Sequence, residues 1–81
     1  MQIEKEIVKI CEEVVYELDG IQHNYTDSTE VNTDNGIDSL ALMNILIEIE
    51  KRFGINLDEV MLEICEAKRI ADIIKCVEKM G

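Results

Sequence analysis

Apolar side chains recur along the chain at the three- and four-residue steps of an α-helix, and this period restricts the fold more than any other feature. The first stripe of this kind is Ile3, Ile7, Ile10, Val14 and Leu18. Because glutamates occupy most of the opposite side, the stripe predicts an amphipathic helix over about residues 2–18. Asp19-Gly20 should end this helix, since glycine readily takes the left-handed conformation at a helix C-terminus.

A long second helix is predicted to begin near Asp38 or Ser39, which are both favourable residues at a helix N-terminus, and to end at Gly54. Apolar residues occupy more than half of its circumference. One face can therefore fill the core, while the residues at the edge of the apolar surface stay near solvent. These edge residues are Leu40, Met43 and Ile47.

Two shorter helices are predicted in the last third of the chain. Asp58 should cap a third helix over about residues 58–65. The residues of this helix expected to face inward are Val60, Met61 and Ile64. A fourth helix is predicted over about residues 68–80. Its apolar stripe is Ile70, Ile73, Ile74, Val77 and Met80.

The composition agrees with these helices. The chain has 81 residues, no proline and only four glycines, which favours helices over many short strands. The sequence therefore predicts an all-α fold: a small four-helix bundle with three longer helices, one short third helix and a long loop between helices 1 and 2. At this length, residues 1–81 are expected to form a single domain.

Residues 21–37 form the long first loop, which is polar and turn-prone. A loop of this length in so small a domain is expected to be functional or well anchored. Its predicted anchors into the core are Ile21, Tyr25, Val31 and Ile37. His23 is the single histidine of the chain and is interpreted as a solvated loop residue.

The charge of the chain limits its partners. With 18 acidic and 8 basic residues the net charge is −10, which disfavours nucleic acid and anionic membrane surfaces. Basic patches on other proteins are the natural partners of such a surface. The acidic character is uneven: residues 1–40 carry ten acids and two bases, whereas residues 41–81 carry eight acids and six bases.

Three cysteines, Cys11, Cys65 and Cys76, form no CxxC pair, so zinc binding is not expected. They are interpreted as small buried hydrophobic residues in a reducing cytosol. The N-terminal residues do not resemble a signal peptide, and the apolar runs are too short to span a bilayer. A cytoplasmic monomer without stable membrane insertion is predicted.

Ser39 is not surrounded by the groups that a catalytic serine needs. The chain contains neither GxSxG nor SxxK, and its one histidine lies in the loop. The position of Ser39 alone would suggest a helix N-cap. No catalytic residue and no metal site are predicted.

The segment Gly36-Ile37-Asp38-Ser39-Leu40 resembles the modification motif of the phosphopantetheine-binding carrier proteins, which are the acyl carrier proteins and the peptidyl carrier domains. Residues 49–55 resemble the end of the second helix in these proteins and the loop that follows it. Val31 resembles their apolar anchor in the long loop, and residues 70–73 resemble the start of their fourth helix. The likeness covers nearly the whole chain, so we expect a single acyl-carrier-like domain.

The resemblance implies that Ser39 carries a covalent 4′-phosphopantetheine arm, which a phosphopantetheinyl transferase adds from coenzyme A. Asp38 is implied as a contact to the transferase or to its metal ion, in addition to a capping role. The implied partner-binding residues are Leu40, Met43, Ile47, Glu48 and Glu50. The function implied is that of a stand-alone carrier, itself no enzyme, which receives thioester-bound groups from a loading ligase. It would deliver them to synthases or transferases of fatty-acid, polyketide, nonribosomal-peptide or related biosynthesis.

Some positions depart from the fatty-acid carriers. Asn35 stands where a leucine often precedes the motif glycine, which weakens the apolar anchoring of the loop. Ala41 and Asn44 replace acids of the second helix, and only Glu48 and Glu50 are acidic within residues 40–52. The remaining departures are Lys51, Arg52, Asn56 and Arg69. They favour a specialised peptidyl, D-alanyl or other aminoacyl carrier, and the cargo stays open.

The sequence suggests two alternatives to a carrier function. An acidic helical module that binds or inhibits a partner without being modified would also explain the charge and the exposed apolar residues. A calcium-binding loop aligned on Gly36 is rejected, because Val31 and Thr33 would fall at ligand positions and Leu42 where a bidentate acid belongs.

Overall fold

A computed structural model of the chain describes residues 3–80. Over that range it contains four α-helices: α1 (Ile3–Asp19), α2 (Ser39–Phe53), α3 (Met61–Cys65) and α4 (Ile70–Met80). Single 3-10 turns, Thr33–Asn35 and Asp58–Val60, precede α2 and α3. The predicted all-α fold with a short third helix is confirmed. The predicted start of helix 1 at residue 2 lies outside the described residues.

The core lies between the apolar faces of the helices, and α1 contacts both α2 and α4. The largest fully buried side chains are Ile7, Ile10, Val15, Ile45, Leu46, Ile49, Leu57, Ile64, Ile70, Ile73 and Val77. The prediction that Leu18 continues the buried stripe of α1 is wrong, because the buried face of α1 ends at Val15 and the last turn is exposed.

Both ends of α2 are where the sequence predicts them. Asp38 is extended, its Oδ1 accepts a 2.8 Å hydrogen bond from the Ala41 N–H, and its carbonyl accepts one of 2.9 Å from the Leu42 N–H. At the other end Gly54 is left-handed, with φ of 64°, and its N–H donates to the Glu50 carbonyl at 2.9 Å. The cap therefore begins α2 at the residue directly after Asp38.

The first turn of α3 differs from the prediction that Asp58 caps it. The Asn56 side chain accepts the Asp58 N–H at 2.7 Å, and a 3-10 turn follows before the helix begins at Met61. Neither the turn nor α3 has a side-chain cap, and Asp58 is exposed.

The long loop is held against the start of α4 by backbone hydrogen bonds. The Val31 N–H donates to the Lys68 carbonyl at 2.9 Å, and the N–H groups of Ile70 and Ala71 donate to loop carbonyls at 3.0 and 2.8 Å. The Asp72 carboxylate accepts the N–H groups of Lys68 and Arg69, both at 3.1 Å. Residues 68 and 69 thus form a bridge to the loop instead of the predicted first turn of helix 4.

Of the four predicted loop anchors, Tyr25 and Ile37 are buried, and Val31 packs half-buried against the core. Ile21 is wrong as an anchor, since its side chain is 57% exposed. The Asp19 Oδ1 holds the Ile21 N–H at 2.8 Å in the turn after α1, so the chain reaches the core only at Tyr25.

The cysteines divide into two classes. Cys11 and Cys76 are buried as predicted, whereas Cys65, the last residue of α3, is exposed. Burial raises the pKa of the Cys11 thiol to about 12 and also raises the pKa of Cys76. None of the four described helices is long and apolar enough to cross a membrane.

A small alkylating reagent should therefore modify Cys65 in the native protein and leave Cys11 unmodified. The thiolate is the reactive form of cysteine, and the Cys11 thiol is both buried and protonated. Peptide mass mapping after a short exposure measures the difference. The same reaction in denaturant is the control and should modify all three cysteines. Rapid labelling of Cys11 in the folded protein would contradict the packing of α1.

Replacing Asp38 tests its cap. Asp38→Ala should lower the free energy of unfolding by about 1 kcal/mol, because the Ala41 N–H loses its acceptor. Asp38→Asn should change stability by only a few tenths of that amount, since asparagine caps about as well as aspartate. Urea unfolding followed by circular dichroism measures both, and equal losses in the two variants would show that the cap is not what Asp38 contributes.

Candidate functional site

Ser39 is the first residue of α2, and its side chain is exposed. The predicted alternative that Ser39 itself caps the helix is wrong, because Asp38 provides the capping oxygen. The Ser39 hydroxyl is therefore not committed to starting the helix. It projects from the N-terminal end of a fifteen-residue helix, where another molecule can reach it.

The N-terminal end of α2 also provides a favourable setting for a negative group. The first N–H groups of a helix have no intrahelical acceptor, and here the Asp38 side chain uses only that of Ala41. The helix dipole adds partial positive charge at the same end. A phosphodiester on the Ser39 oxygen thus fits the donors present at this position.

An open groove of about 430 Å³ lies beside Ser39. Its walls come from the end of the long loop, the first turn of α2 and the segment after α3. The lining residues are Val31, Asn32, Thr33, Ile37, Asp38, Ser39, Leu42, Cys65 and Ala67. The mixture of aliphatic and amide or hydroxyl side chains suits a flexible chain that has both apolar and hydrogen-bonding groups.

The loop immediately before Ser39 is tightly folded. Asn32 caps the 3-10 turn, since its Oδ1 accepts the Asn35 N–H at 3.0 Å and its carbonyl accepts the Ile37 N–H at 2.9 Å. Gly36 is left-handed with φ of 77°, a conformation that an L-residue rarely adopts. A Cβ at Gly36 would also lie 3.0 Å from the Val15 side chain, so glycine is required on two grounds.

Asn35 does not weaken the loop as its departure from the family pattern suggests. Its side-chain Nδ2 donates to the Glu30 carbonyl at 2.8 Å, and its own carbonyl accepts a hydrogen bond from the Tyr25 hydroxyl. Polar contacts therefore anchor the segment that an apolar residue would otherwise anchor.

His23 is not the solvated loop residue that the sequence analysis expects. It is partly buried, its Nε2 lies 3.0 Å from the Asp19 Oδ2, and its ring stacks on Tyr25 with centroids 5.2 Å apart. The spacing of four residues between Asp19 and His23 could have indicated this pair. The expected end of helix 1 at Gly20 argued against it, because that spacing brings side chains together only within a helix.

Three exposed apolar residues form a ridge on the outer face of α2. Leu40, Met43 and Ile47 are exposed by 63%, 48% and 50%, and their three- and four-residue spacing aligns them along the helix. We call these three residues the α2 ridge. It begins one residue after Ser39, so a protein that covers it would also reach the Ser39 hydroxyl.

The two acids predicted to bind partners have partners within the chain. Glu48 accepts a hydrogen bond from Arg52 at 3.1 Å and pairs with Lys51 at 4.0 Å, while Arg52 also reaches Glu13 of α1 at 2.7 Å. Glu50 Oε2 accepts the Leu57 N–H at 2.8 Å. Both carboxylates of α2 are thus engaged, which leaves the α2 ridge without a free acid from its own helix.

The groove beside Ser39 contains no histidine or lysine among its lining residues, and Asp38 is occupied by the cap. No group of three or more potential metal-ligating side chains comes together among residues 3–80. What the described site offers is a presented hydroxyl, a helix end suited to an anion and a neighbouring apolar ridge.

Comparison with known proteins agrees with these features. Residues 5–77 match the family described as "Phosphopantetheine attachment site". The chain is also 28% identical over 80 residues to a protein of Thermotoga maritima named acyl carrier protein, covering 98% of this chain and 96% of that relative. No solved structure shows significant similarity. Because the family match spans most of the chain, the protein belongs to the phosphopantetheine-attachment family of carrier proteins, whose prosthetic group is a covalently bound 4′-phosphopantetheine.

Proposed function

We propose that Ser39 is the residue of this carrier to which 4′-phosphopantetheine is attached. The supporting observation is the exposed Ser39 hydroxyl directly after a cap that Asp38 alone provides. If Ser39 capped the helix, its oxygen would be tied to a backbone N–H. Here the oxygen is available, and the free donors of the first turn surround the place where a phosphodiester would form.

The modifying reaction requires little from the carrier. In a phosphopantetheinyl transferase, the Ser39 oxygen would attack the phosphorus that bears the pantetheine half of coenzyme A. A new oxygen–phosphorus bond forms, the pyrophosphate bond breaks, the adenosine bisphosphate leaves, and a base of the transferase takes the serine proton. The base and the magnesium ion would be supplied by the transferase, since the residues that line the groove include no histidine or lysine to take the proton.

Asp38 is proposed to have two roles. Its Oδ1 caps α2, while the carboxylate as a whole remains exposed next to Ser39. A transferase that covers Ser39 must therefore accommodate or bind this negative charge, and a magnesium ion in the transferase is a suitable partner. Asp38→Asn separates the roles, because it keeps the cap and removes the charge.

When attached, the arm supplies a terminal thiol, ordinarily of pKa near ~8.5, that holds acyl or aminoacyl groups as thioesters. We propose that a ligase loads this thiol and that synthases or transferases of fatty-acid, polyketide, nonribosomal-peptide or related biosynthesis use the thioester. Tethering raises the effective concentration of the carried group at each partner active site. We further propose that the protein acts as a cytoplasmic monomer.

The α2 ridge is the proposed docking surface for these enzymes. Leu40, Met43 and Ile47 can bury apolar area on a partner without disturbing the core, because all three are already exposed. Glu48 and Glu50 remain proposed contacts, but each must give up an intramolecular hydrogen bond to serve a partner. Recognition of α2 should therefore be mainly apolar.

This balance bears on the cargo. The internally paired acids of α2 and the departures at Ala41 and Asn44 favour a specialised aminoacyl or peptidyl carrier over the fatty-acid carrier. The open groove beside Ser39 with its amide and hydroxyl groups would also suit a small polar cargo that stays outside the bundle. The genes that neighbour this one would identify the pathway: an adenylating ligase indicates amino-acid loading, and a ketosynthase indicates chain extension.

Incubation with a promiscuous phosphopantetheinyl transferase and coenzyme A tests the attachment residue. The intact mass of the wild type should rise by one phosphopantetheinyl group, and Ser39→Ala should abolish the rise. The chain has a second serine, Ser28, which is exposed in the loop and provides a matched control, since Ser28→Ala should be modified normally. A folded wild type that gains no mass would instead favour an unmodified binding module.

The docking surface is tested with the same transferase as the probe. Leu40→Ser or Ile47→Ser should lower kcat/KM by roughly fivefold or more through a higher KM, because an exposed apolar contact is lost. Glu48→Gln should have a much smaller effect on kcat/KM, since this carboxylate is already paired within α2. Tyr16→Ser, at an exposed position on α1, is the control. A steep salt dependence with unchanged kinetics in the ridge variants would show that charge and not the ridge governs docking.

A further inference from the structure

A polar cluster joins the end of α1 to the loop that precedes Ser39. It consists of Asp19, His23, Tyr25 and Asn35, and we call it the loop clamp. Asp19 belongs to the last turn of α1, and the other three residues lie in the long loop. The cluster is separate from the groove and from the α2 ridge, and the proposed function so far gives it no role.

The Asp19 carboxylate holds one backbone N–H and one side chain of the loop. Its Oδ1 accepts the Ile21 N–H at 2.8 Å, and its Oδ2 accepts a hydrogen bond from His23 Nε2 at 3.0 Å. The hydrogen bond from Ile21 and then that from His23 hold the pKa of the Asp19 carboxyl below its ordinary value. The carboxylate is thus ionised at neutral pH and orients the imidazole.

Tyr25 connects this pair to the segment before Ser39. Its ring stacks on His23 at an interplanar angle of 16°, and its N–H donates to Glu12 Oε2 of α1 at 2.8 Å. Burial raises the pKa of Tyr25 to about 12, so the hydroxyl stays protonated. It donates a hydrogen bond to the Asn35 carbonyl. A continuous set of contacts therefore runs from α1 to Asn35.

Gly36 is enclosed by the same side chains. A Cβ built on Gly36 would lie 3.1 Å from Asp19 Oδ2 and 3.3 Å from His23 Nε2, so these two side chains lie against the backbone of the loop. Only Ile37, which is buried, and the cap residue Asp38 separate Gly36 from Ser39. The backbone between the clamp and the modified serine has little freedom while the clamp is intact.

We propose that His23 and Tyr25 are positioning residues for the modification of Ser39. They hold Asn35 and Gly36 in one conformation, so that the transferase meets Ser39 already oriented for attack. This inference rests on the proposed attachment of the arm at Ser39. Neither residue needs to touch the arm or coenzyme A, because both act through the loop backbone.

Loosening the clamp has a defined kinetic consequence. If only a fraction of the molecules present the loop correctly, the apparent affinity of the transferase for the carrier falls by that fraction. The turnover of a correctly bound carrier is unaffected. A positioning role therefore raises KM and leaves kcat unchanged, whereas loss of a group that takes part in the chemistry would lower kcat.

Tyr25→Phe and His23→Ala test the proposal. Tyr25→Phe keeps the buried ring and removes only the hydrogen bond to Asn35, while His23→Ala removes the stacking and the contact with Asp19. His23→Gln, which restores a hydrogen-bond donor for Asp19, should recover part of the effect. Lys79→Gln is the control, because it removes an ion pair between α4 and α3 without touching the loop or the α2 ridge.

Two measurements are made on each variant. Amide hydrogen exchange of the unmodified protein, followed by NMR, reports on the N–H groups of Asn35, Gly36 and Ile37, which donate within the loop. Exchange at these three amides should accelerate by roughly threefold to tenfold in Tyr25→Phe and His23→Ala, and KM for the transferase should rise by a similar factor with kcat unchanged. Lys79→Gln should leave both quantities unchanged at temperatures well below unfolding.

The outcomes separate the two proposals. The positioning role would be overturned, with the wild type still modified, if exchange accelerates no more than in Lys79→Gln. It would also be overturned if exchange accelerates while KM stays unchanged. A wild type that is not modified would overturn the proposed function, and the positioning role with it. If Tyr25→Phe does not fold, the two variants of the less buried His23 decide the question.

Discussion

The 2.8 Å hydrogen bond from the Ala41 N–H to the carboxylate of Asp38 caps α2, whose first residue is Ser39. An aspartate that takes the capping role leaves the next side chain free on the outside of the first helical turn. Serine is itself a favourable cap, and a helix that began one residue later would have used its oxygen for that purpose. The order Asp38-Ser39 therefore assigns helix capping to the carboxylate and leaves the serine hydroxyl exposed to solvent. If the arm is attached to Ser39 as proposed, the groove, the unused N–H donors and the α2 ridge all lie next to the attachment point.

Charge and apolar contact are placed on different parts of the molecule. Most of the net negative charge lies in residues 1–40. In α2 the two acids, Glu48 and Glu50, are balanced by Lys51 and Arg52. Long-range attraction to a basic protein would thus come from α1 and the loop, and close contact would come from the α2 ridge. Steering of this kind affects the association rate, while buried apolar anchors determine how long a complex lasts. The division allows short encounters with several enzymes.

The features that follow from local periodicity and glycine conformation could be predicted from the sequence. The apolar stripes place the helices, and Gly20 and Gly54 are left-handed as expected at helix ends. The positions that differ depend on contacts between distant segments. Helix α4 begins at Ile70 because residues 68 and 69 bond to the loop and to Asp72, and His23 is held by Asp19 and Tyr25. Cys65 is exposed because α3 ends at the groove. Neither the apolar periodicity nor the sequence motif predicts these contacts between segments that are far apart in the chain.

The backbone bridge between the long loop and the start of α4 has a consequence for the order of events during synthesis. Residues 27–31 bond to residues 68–71, which follow Ser39 in the chain. Ser39 therefore leaves the ribosome before the segment that secures its loop has been made. Folding of the loop must wait for the C-terminal part of the chain, as for any contact between residues far apart in sequence. An enzyme that recognises the folded loop would therefore meet its target only after residues 68–71 have been made, and chains that stop before this segment would not be modified.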